Sequence, residues 1–600
     1  MDSHSMFKRF SSKCLALLAT LPLMSGTGVF AEVDVTPSKK KDATEVKVFS
    51  IHSVIDPAVA ALGTPKMRPG SVGIQMNVSS PSEKARAHVK QGFALVHAQW
   101  DFEAYRHFCA AIKEDKECLL AYCGVTLALA QPFNEYTKYK QAAVERMLDL
   151  MEADEAAMKS GKADRYPKIE KQFSVAIATM VSKSPLDAGS IFLALGEEFP
   201  NLLQARVLGV FFTRGGYDLT GSATPAQLKA FEKAKKILLE HPENPLVLGF
   251  WVSLCAEAPN SEINLKKELL PVARKLVKLS PDMPSWWHAV GHLEWRAGNY
   301  LLAERAFTKA ADIYAAWMEE SGVSLNDCPG FVKAKCYLAN TLYHRGDFVG
   351  AMKVAKEVRA LKVDIKRPKS AGNNMLLWRG YSLPARLYMA HGADGDMNRG
   401  LQDLPSAADL KPFAEHPESP SLVGAYINAL RVYMGCRKAI DDKAITAATS
   451  LHRKTFRQYM AALLTVAGGA QRSGDANAYF HARKCLTIYD KELAGMIRMN
   501  GAEATRVAAA GSFYSARDLQ YIPTLMLPPM VVTPMQNRLG EYFLRMGKNT
   551  EAYEAFTEGH EKFPNSMGSL IGMKRSLTLL GKKEEAAMIQ KHIDLVKPKR

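Results

Sequence analysis

The stretch "HAVGHLEWRAGNYLLAERAFTKA", residues 288–310, decides the fold. Together with Trp287 just ahead of it, Val290-Gly291, Ala303, Phe307 and Ala310 fall on the spacing of a helix-turn-helix repeat of about 34 residues. Small residues at Gly291 and Ala303 let two antiparallel helices approach closely, while Trp287 and Phe307 fill the space between successive pairs. Gly298 ends the first helix, because a left-handed backbone costs glycine little.

The template recurs along the chain. Gly92, Ala104, Phe108 and Ala111 match it in "QGFALVHAQWDFEAYRHFCAAIKED" (91–115), and Gly124 opens the following unit 32 residues after Gly92. Leu539-Gly540, Phe543, Gly547, Ala552, Phe556 and Pro564 repeat the set near the end. Weaker copies run through Leu338, Leu342, Gly346 and Ala351, through Met573, Leu577, Gly581 and Ala586, and through Ala230 with Pro242. Unrelated amphipathic helices would not share these offsets, so the spacing predicts an all-α fold, an α-solenoid of tetratricopeptide-type (TPR) repeats. Residues 363–425 break the pattern with Gly, Pro, Asp and Asn, and are expected to be an irregular connection between two helical arrays, 81–362 and 426–600, although "YSLPARLYMA" (381–390) suits a short helix. Residues 32–80 carry scattered Pro, Ser and Gly and read as an extended or flexible leader.

The first 31 residues read as a cleaved secretory signal: Lys8, Arg9 and Lys13 precede the short apolar run "CLALLATLPLM", and Val29-Phe30-Ala31 suits a signal peptidase. Pro22, Ser25, Gly26 and Gly28 interrupt that run too early for a membrane anchor. The apolar "YIPTLMLPPMVVTPM" (521–535) contains four prolines, which exclude a spanning helix. The expectation is a periplasmic or secreted protein with no transmembrane segment once the signal is removed. Without Met1–Ala31 the chain has 75 Lys and Arg against 60 Asp and Glu, a charge of +15, dispersed except for "SKKKDATEVK" (38–47). Export and the absence of zinc-finger or aromatic nucleic-acid motifs argue against a nucleic-acid partner. The eight remaining cysteines, Cys109, Cys118, Cys123, Cys255, Cys328, Cys336, Cys436 and Cys485, sit mostly in apolar helical patterns without Cys-x-x-Cys pairs, and read as small core residues.

The stretch "QGFALVHAQWDFEAYRHFCAAIKEDKECLLAYCGVTLALA" (91–130) resembles the opening repeats of a group of exported bacterial TPR proteins. The shared features are an aromatic-Asp turn, a Glu-Ala pair and a Cys-containing second repeat before a glycine. The resemblance continues through "HAVGHLEWRAGNY" and the Pro-Pro-Met segment to "LGEYFLRMGKNTEAYEAF". It implies architecture rather than activity, since polar residues of many relatives are replaced here by Gly249, Ser253 and Leu527.

In such an array the first helix of each repeat lines a concave groove. The repeat beginning at Pro284 is expected to present Ser285, His288, His292, Trp295 and Arg296 there. Its neighbour, beginning at Val332, adds Lys333, Cys336, Asn340, Tyr343 and His344. Flat rings and cations on one wall suit an extended protein or peptide partner in the cell envelope. A competing reading is a metal-binding protein or metal-dependent enzyme: His288 and His292, four apart, share a helix face, and His344 would supply a third zinc ligand. No His-Glu-x-x-His motif, Gly-x-Ser-x-Gly elbow, phosphate-binding loop or dinucleotide fingerprint is present, so no catalytic residue and no cofactor is assigned.

Overall fold

A phenylalanine wedged between two glycines sets the spacing of successive helices. In the computed structural model, which describes residues 49–68, 73–130, 132–218, 221–417, 421–465, 476–521 and 523–597, the Phe108 ring lies against both Gly92 and Gly124. A β-carbon at either glycine would fall 2.6 Å and 2.1 Å from the ring. Phe556 sits in the same way between Gly540 and Gly572, where a β-carbon would come within 2.7 Å and 2.2 Å. Phe307 faces Gly291 at 2.8 Å. The same offset of sixteen residues therefore places a ring on a bare backbone each time, which is the physical content of the repeat read from the sequence.

Among the described residues 74% are helical, and no strand occurs. Paired helices follow one another: Glu83–His97 with Asp101–Glu114, Pro185–Glu198 with Leu203–Thr213, Pro329–Arg345 with Phe348–Ala360, Met535–Arg545 with Asn549–Lys562, and Met567–Leu579 with Lys583–Val596. The protein is an α-solenoid of TPR-like helix-turn-helix repeats. Gly346 ends Pro329–Arg345 in the left-handed region, with φ +91°, and the Asp347 amide closes the turn on the Leu342 carbonyl at 2.8 Å. Gly298 behaves alike at φ +77°, as expected from the sequence.

The helices gather into two compact units. Among the described residues, one runs to Asn264 and adds Pro271–Trp286 and Trp317–Val323; the other comprises Leu265–Leu270, Trp287–Ala316 and the chain from Ser324 onward. A file of aromatic rings, Phe108, Phe93, Phe173 and Phe192, runs edge-on through the first unit at 5.0–5.6 Å between neighbours. The second centres on Leu376, Trp378, Leu383, Tyr426, Leu430 and Tyr433, all buried.

Two sequence expectations need correction. Residues 363–425 do not form an irregular connection: they hold Ala371–Met375, a π-helical turn at Leu376–Gly380, Leu383–His391, Asp396–Asp403 and Ala407–Ala414, and supply much of the second unit's core. Their Gly and Pro act as punctuation for short helices. Pro384 stands in the first turn of its helix, and Gly392 ends it at φ +66°, so no long apolar period develops. The boundary between units consequently lies in 265–323 and not at 363.

The leader, over its described residues, holds a 3-10 turn at Ile51–Ser53 and a short helix at Pro57–Ala61, and it is packed rather than loose. Val54, Ile55, Val59, Ile74, Met76 and Val78 are buried. The Tyr105 hydroxyl donates to the Val54 carbonyl at 3.0 Å and accepts from the Asp56 amide at 3.1 Å. The proposed signal, 1–31, lies outside the described residues. No helix among the described residues is long and apolar enough to cross a membrane. All eight cysteines from Cys109 to Cys485 are buried free thiols.

Candidate functional site

The wall expected to line an open groove is covered by the chain itself. Eight of the nine principal wall residues belong to the second unit; Ser285 belongs to the first, where its hydroxyl donates to the Ala98 carbonyl. His288, His292, Trp295, Arg296, Lys333, Asn340 and His344 are all under 10% exposed, and Tyr343 is half-buried. Cys336, also named from the sequence, is fully buried. The proline-rich segment 521–535 covers the part of the second-unit wall around His288, Lys333 and Tyr337, while Phe563 and Ser566 cover Trp295 and His344.

Up to Pro534 the proline-rich segment has no regular secondary structure over its described residues, and Leu525, Pro528, Pro529, Met530 and Val532 are buried. Buried carbonyls must find donors, and a segment rich in proline has few amides with which to pair. Side chains of the surrounding helices supply those donors. His288 Nε2 donates to the Leu525 carbonyl at 3.0 Å, and the Tyr337 hydroxyl lies between the Thr524 carbonyl and that of Leu527, at 3.2 Å from the latter. Arg386 Nη1 donates to Pro529 at 2.6 Å, and the Tyr489 hydroxyl to Met530 at 3.0 Å. Gln520 closes the far end, its amide donating to the Thr533 carbonyl at 2.9 Å and its carbonyl accepting from the Met535 amide at 2.7 Å. Each such bond contributes roughly 1 kcal/mol net, but a buried carbonyl left bare costs about 1–3 kcal/mol, so the set strongly favours this path of the chain.

Tyr337 organises the wall. Its ring stacks on Phe307 at 5.1 Å and meets His288, His292 and Trp295 edge-on at 5.1, 5.7 and 6.4 Å. It stands one position after Cys336 in its repeat, and the sequence reading passed over it. The available signal was in its ligand: a buried apolar run with four prolines needs side-chain donors opposite its carbonyls.

The three histidines do not assemble a metal site. Among the described residues no group of three or more His, Cys, Asp or Glu side chains is placed to hold a metal ion. The His288–His292–His344 alternative is overturned by packing: His288 serves the Leu525 carbonyl, His292 abuts the Tyr337 ring, and His344 stacks on Phe563 at 6.0 Å with Nδ1 3.1 Å from the Ser566 hydroxyl. Burial holds His344 down at about 4 and His288 well below the ordinary imidazole range, the nearby Lys333 adding to the latter effect. Both rings are therefore neutral at physiological pH, as packing groups and carbonyl donors require.

The polar members of the wall are also engaged. The Asn340 side-chain amide donates to the Cys336 carbonyl of its own helix at 2.7 Å, and Lys333 Nζ lies 4.0 Å from the Met526 sulfur. In the later repeats, the Ser569 hydroxyl donates to Asn537 at 2.9 Å, and Glu541 pairs with Arg538 at 3.0 Å.

No family model matches the chain. No curated protein matches it either. Several solved structures align with it at low similarity. A monomeric mutant of IFIT1 with Gppp-AAAA is 11% identical, covering 91% of this chain and 96% of its own, with a TM-score of 0.24. The Cut9-Hcn1 hetero-tetramer of APC/C is 13% identical over 82% of this chain and 83% of that one, with a TM-score of 0.27. The crystal structure of a TPR domain is 14% identical over 70% of this chain and 99% of that one, with a TM-score of 0.17.

Proposed function

We propose that the protein is an exported, non-catalytic TPR-like scaffold of the cell envelope, and that its wall around His288, Trp295, Tyr337 and Tyr343 binds an extended segment of a protein partner. One observation carries this reading: side chains of four helices donate to backbone carbonyls along a proline-rich segment. Such contacts read backbone rather than side-chain identity, so a foreign segment of similar character can make them too. Segment 521–535 is then an internal occupant that a partner displaces, with the Gln520–Met535 closure acting as its anchor.

The test uses the full chain with residues 523–532 replaced by a Gly-Ser linker of equal length, and a labelled peptide spanning 519–536. The linker chain should bind the peptide saturably while the parent chain does not, and Tyr337→Phe in the linker chain should weaken binding about fivefold to tenfold, matching the loss of one buried hydrogen bond. If the linker chain keeps its helical circular dichroism yet fails to bind the peptide, the wall does not recognise extended backbone and the proposal is wrong.

A further inference from the structure

The second unit buries a cation, Arg379, that nothing among the described residues neutralises. Arg379 is 1% exposed, and Nε, Nη1 and Nη2 all lack a hydrogen-bond partner among the described residues. It is presented by the π-helical turn Leu376–Gly380, a rare backbone form that is concentrated at functional sites. Arg386, one helix later, is fully buried but satisfied: it donates to Ser382 Oγ, Pro529 O and, through Nη2, the Arg379 carbonyl at 2.7 Å. The Arg379 guanidinium has no comparable acceptors.

The unmatched groups around it are donors or potential donors. Trp378 Nε1, the Tyr426 hydroxyl and His481 Nδ1 are buried atoms without a hydrogen bond, although Ser382 lies close enough to Tyr426 to influence its titration. The Trp378 and Tyr426 rings stack at 5.8 Å. The titratable groups that act on Arg379 are Tyr426, Arg386, Cys485 and Cys336, none of them ionised as an acid at neutral pH. Burial lowers Arg379 only to about 10, so it remains a cation, while burial, Arg379, Lys484 and Arg386 together hold His481 neutral. An isolated charge in a protein interior carries a large desolvation cost, and buried charges are ordinarily paired.

We propose that Arg379, with Arg386, Tyr426 and His481, forms a buried anion-binding site for a small oxyanion, held bidentately on the open fork of Arg379. The planar fork matches two oxygens of a carboxylate, phosphate or sulfate, and Tyr426 supplies a further donor. Because Arg386 also holds the Pro529 carbonyl, the anion would steady the same side chain that fixes segment 521–535.

The experiment is a titration of the full chain with inorganic phosphate, sulfate and acetate, each in chloride buffer at constant ionic strength, followed by thermal unfolding and by native mass spectrometry. At least one anion should raise the unfolding midpoint saturably and appear as a one-to-one adduct, and its identity separates a tetrahedral from a carboxylate ligand. Arg379→Met should abolish the response, and in chloride alone its midpoint should be no lower than that of the parent, since it removes an unpaired buried charge. Arg379→Lys, which keeps the charge without the fork, should raise the half-saturating concentration at least tenfold and covers the case of a Met variant that fails to fold. The absence of a saturable shift with any of the three anions, or an equal shift in the Arg379 variants, overturns the proposal.

Discussion

Gly291→Ala tests the coupling between repeat packing and the wall. A methyl group there would come 2.8 Å from Phe307 Cδ1 and Cε1 and 3.0 Å from Cγ, several tenths of an ångström inside ordinary contact. Phe307 cannot simply retreat, because its other face is stacked on Tyr337 at 5.1 Å and 20°, and Tyr337 holds the Thr524 and Leu527 carbonyls. Overpacking of this kind costs about 1–3 kcal/mol. Against it stands a gain of about 1 kcal/mol, because alanine is the better residue in a helix interior. The net effect of the single change is thus about 0–2 kcal/mol and would not decide the matter alone. A double-mutant cycle with Phe307→Val does decide it, since the propensity gain is the same in both backgrounds and cancels. The clash should survive as a coupling energy of at least about 1 kcal/mol, with Gly291→Ala becoming stabilising once the ring is gone. Amide hydrogen exchange of Pro284–Arg296 and Tyr300–Ser321 gives the local opening free energy without assuming that two units unfold together. Additivity within about 0.3 kcal/mol would refute the wedge of ring on glycine as the source of the repeat spacing.

Two further outcomes follow from buried ionisable groups. Burial by itself would raise the Asp490 carboxyl, but hydrogen bonds from His452 and Arg457, each at 2.9 Å, hold it at about 2, below the ordinary value of 3.8. A depressed carboxyl contributes stability that is fully present above the unfolded-state value and is lost as pH falls through the folded one. The chain should therefore lose about 2 kcal/mol between roughly pH 4 and pH 2, and Asp490→Asn should flatten that part of an acid-unfolding profile. Burial pushes the Cys109, Cys118, Cys123, Cys328, Cys336, Cys436 and Cys485 thiols up to about 12, so a thiol reagent at pH 8 should leave these seven unlabelled until denaturant is added; fast labelling of the native chain would contradict the packing described.

The sequence by itself determined the helical repeat. Gly92, Gly124, Gly291 and Gly540 could be placed against their phenylalanines because the contact joins residues at a fixed offset of sixteen, which a linear pattern records. Gly298 was legible as a helix stop for the same reason, since its left-handed backbone is a local property. Of the short helices between 371 and 414, that at Leu383–His391 was legible in "YSLPARLYMA"; the others were not, because each is bounded by caps and stabilised by burial in the second unit rather than by its own apolar period. The wall shows the division most clearly. In the structure His288 and His292 meet Tyr337 and Trp295 meets His344, but repeat numbering could not say whether that neighbourhood would be open. Only the tertiary structure decided that segment 521–535, some 190 residues further along, lies over Tyr337. Contacts at such separations depend on which buried carbonyls and donors can satisfy one another in space, and no periodicity in the chain encodes that match.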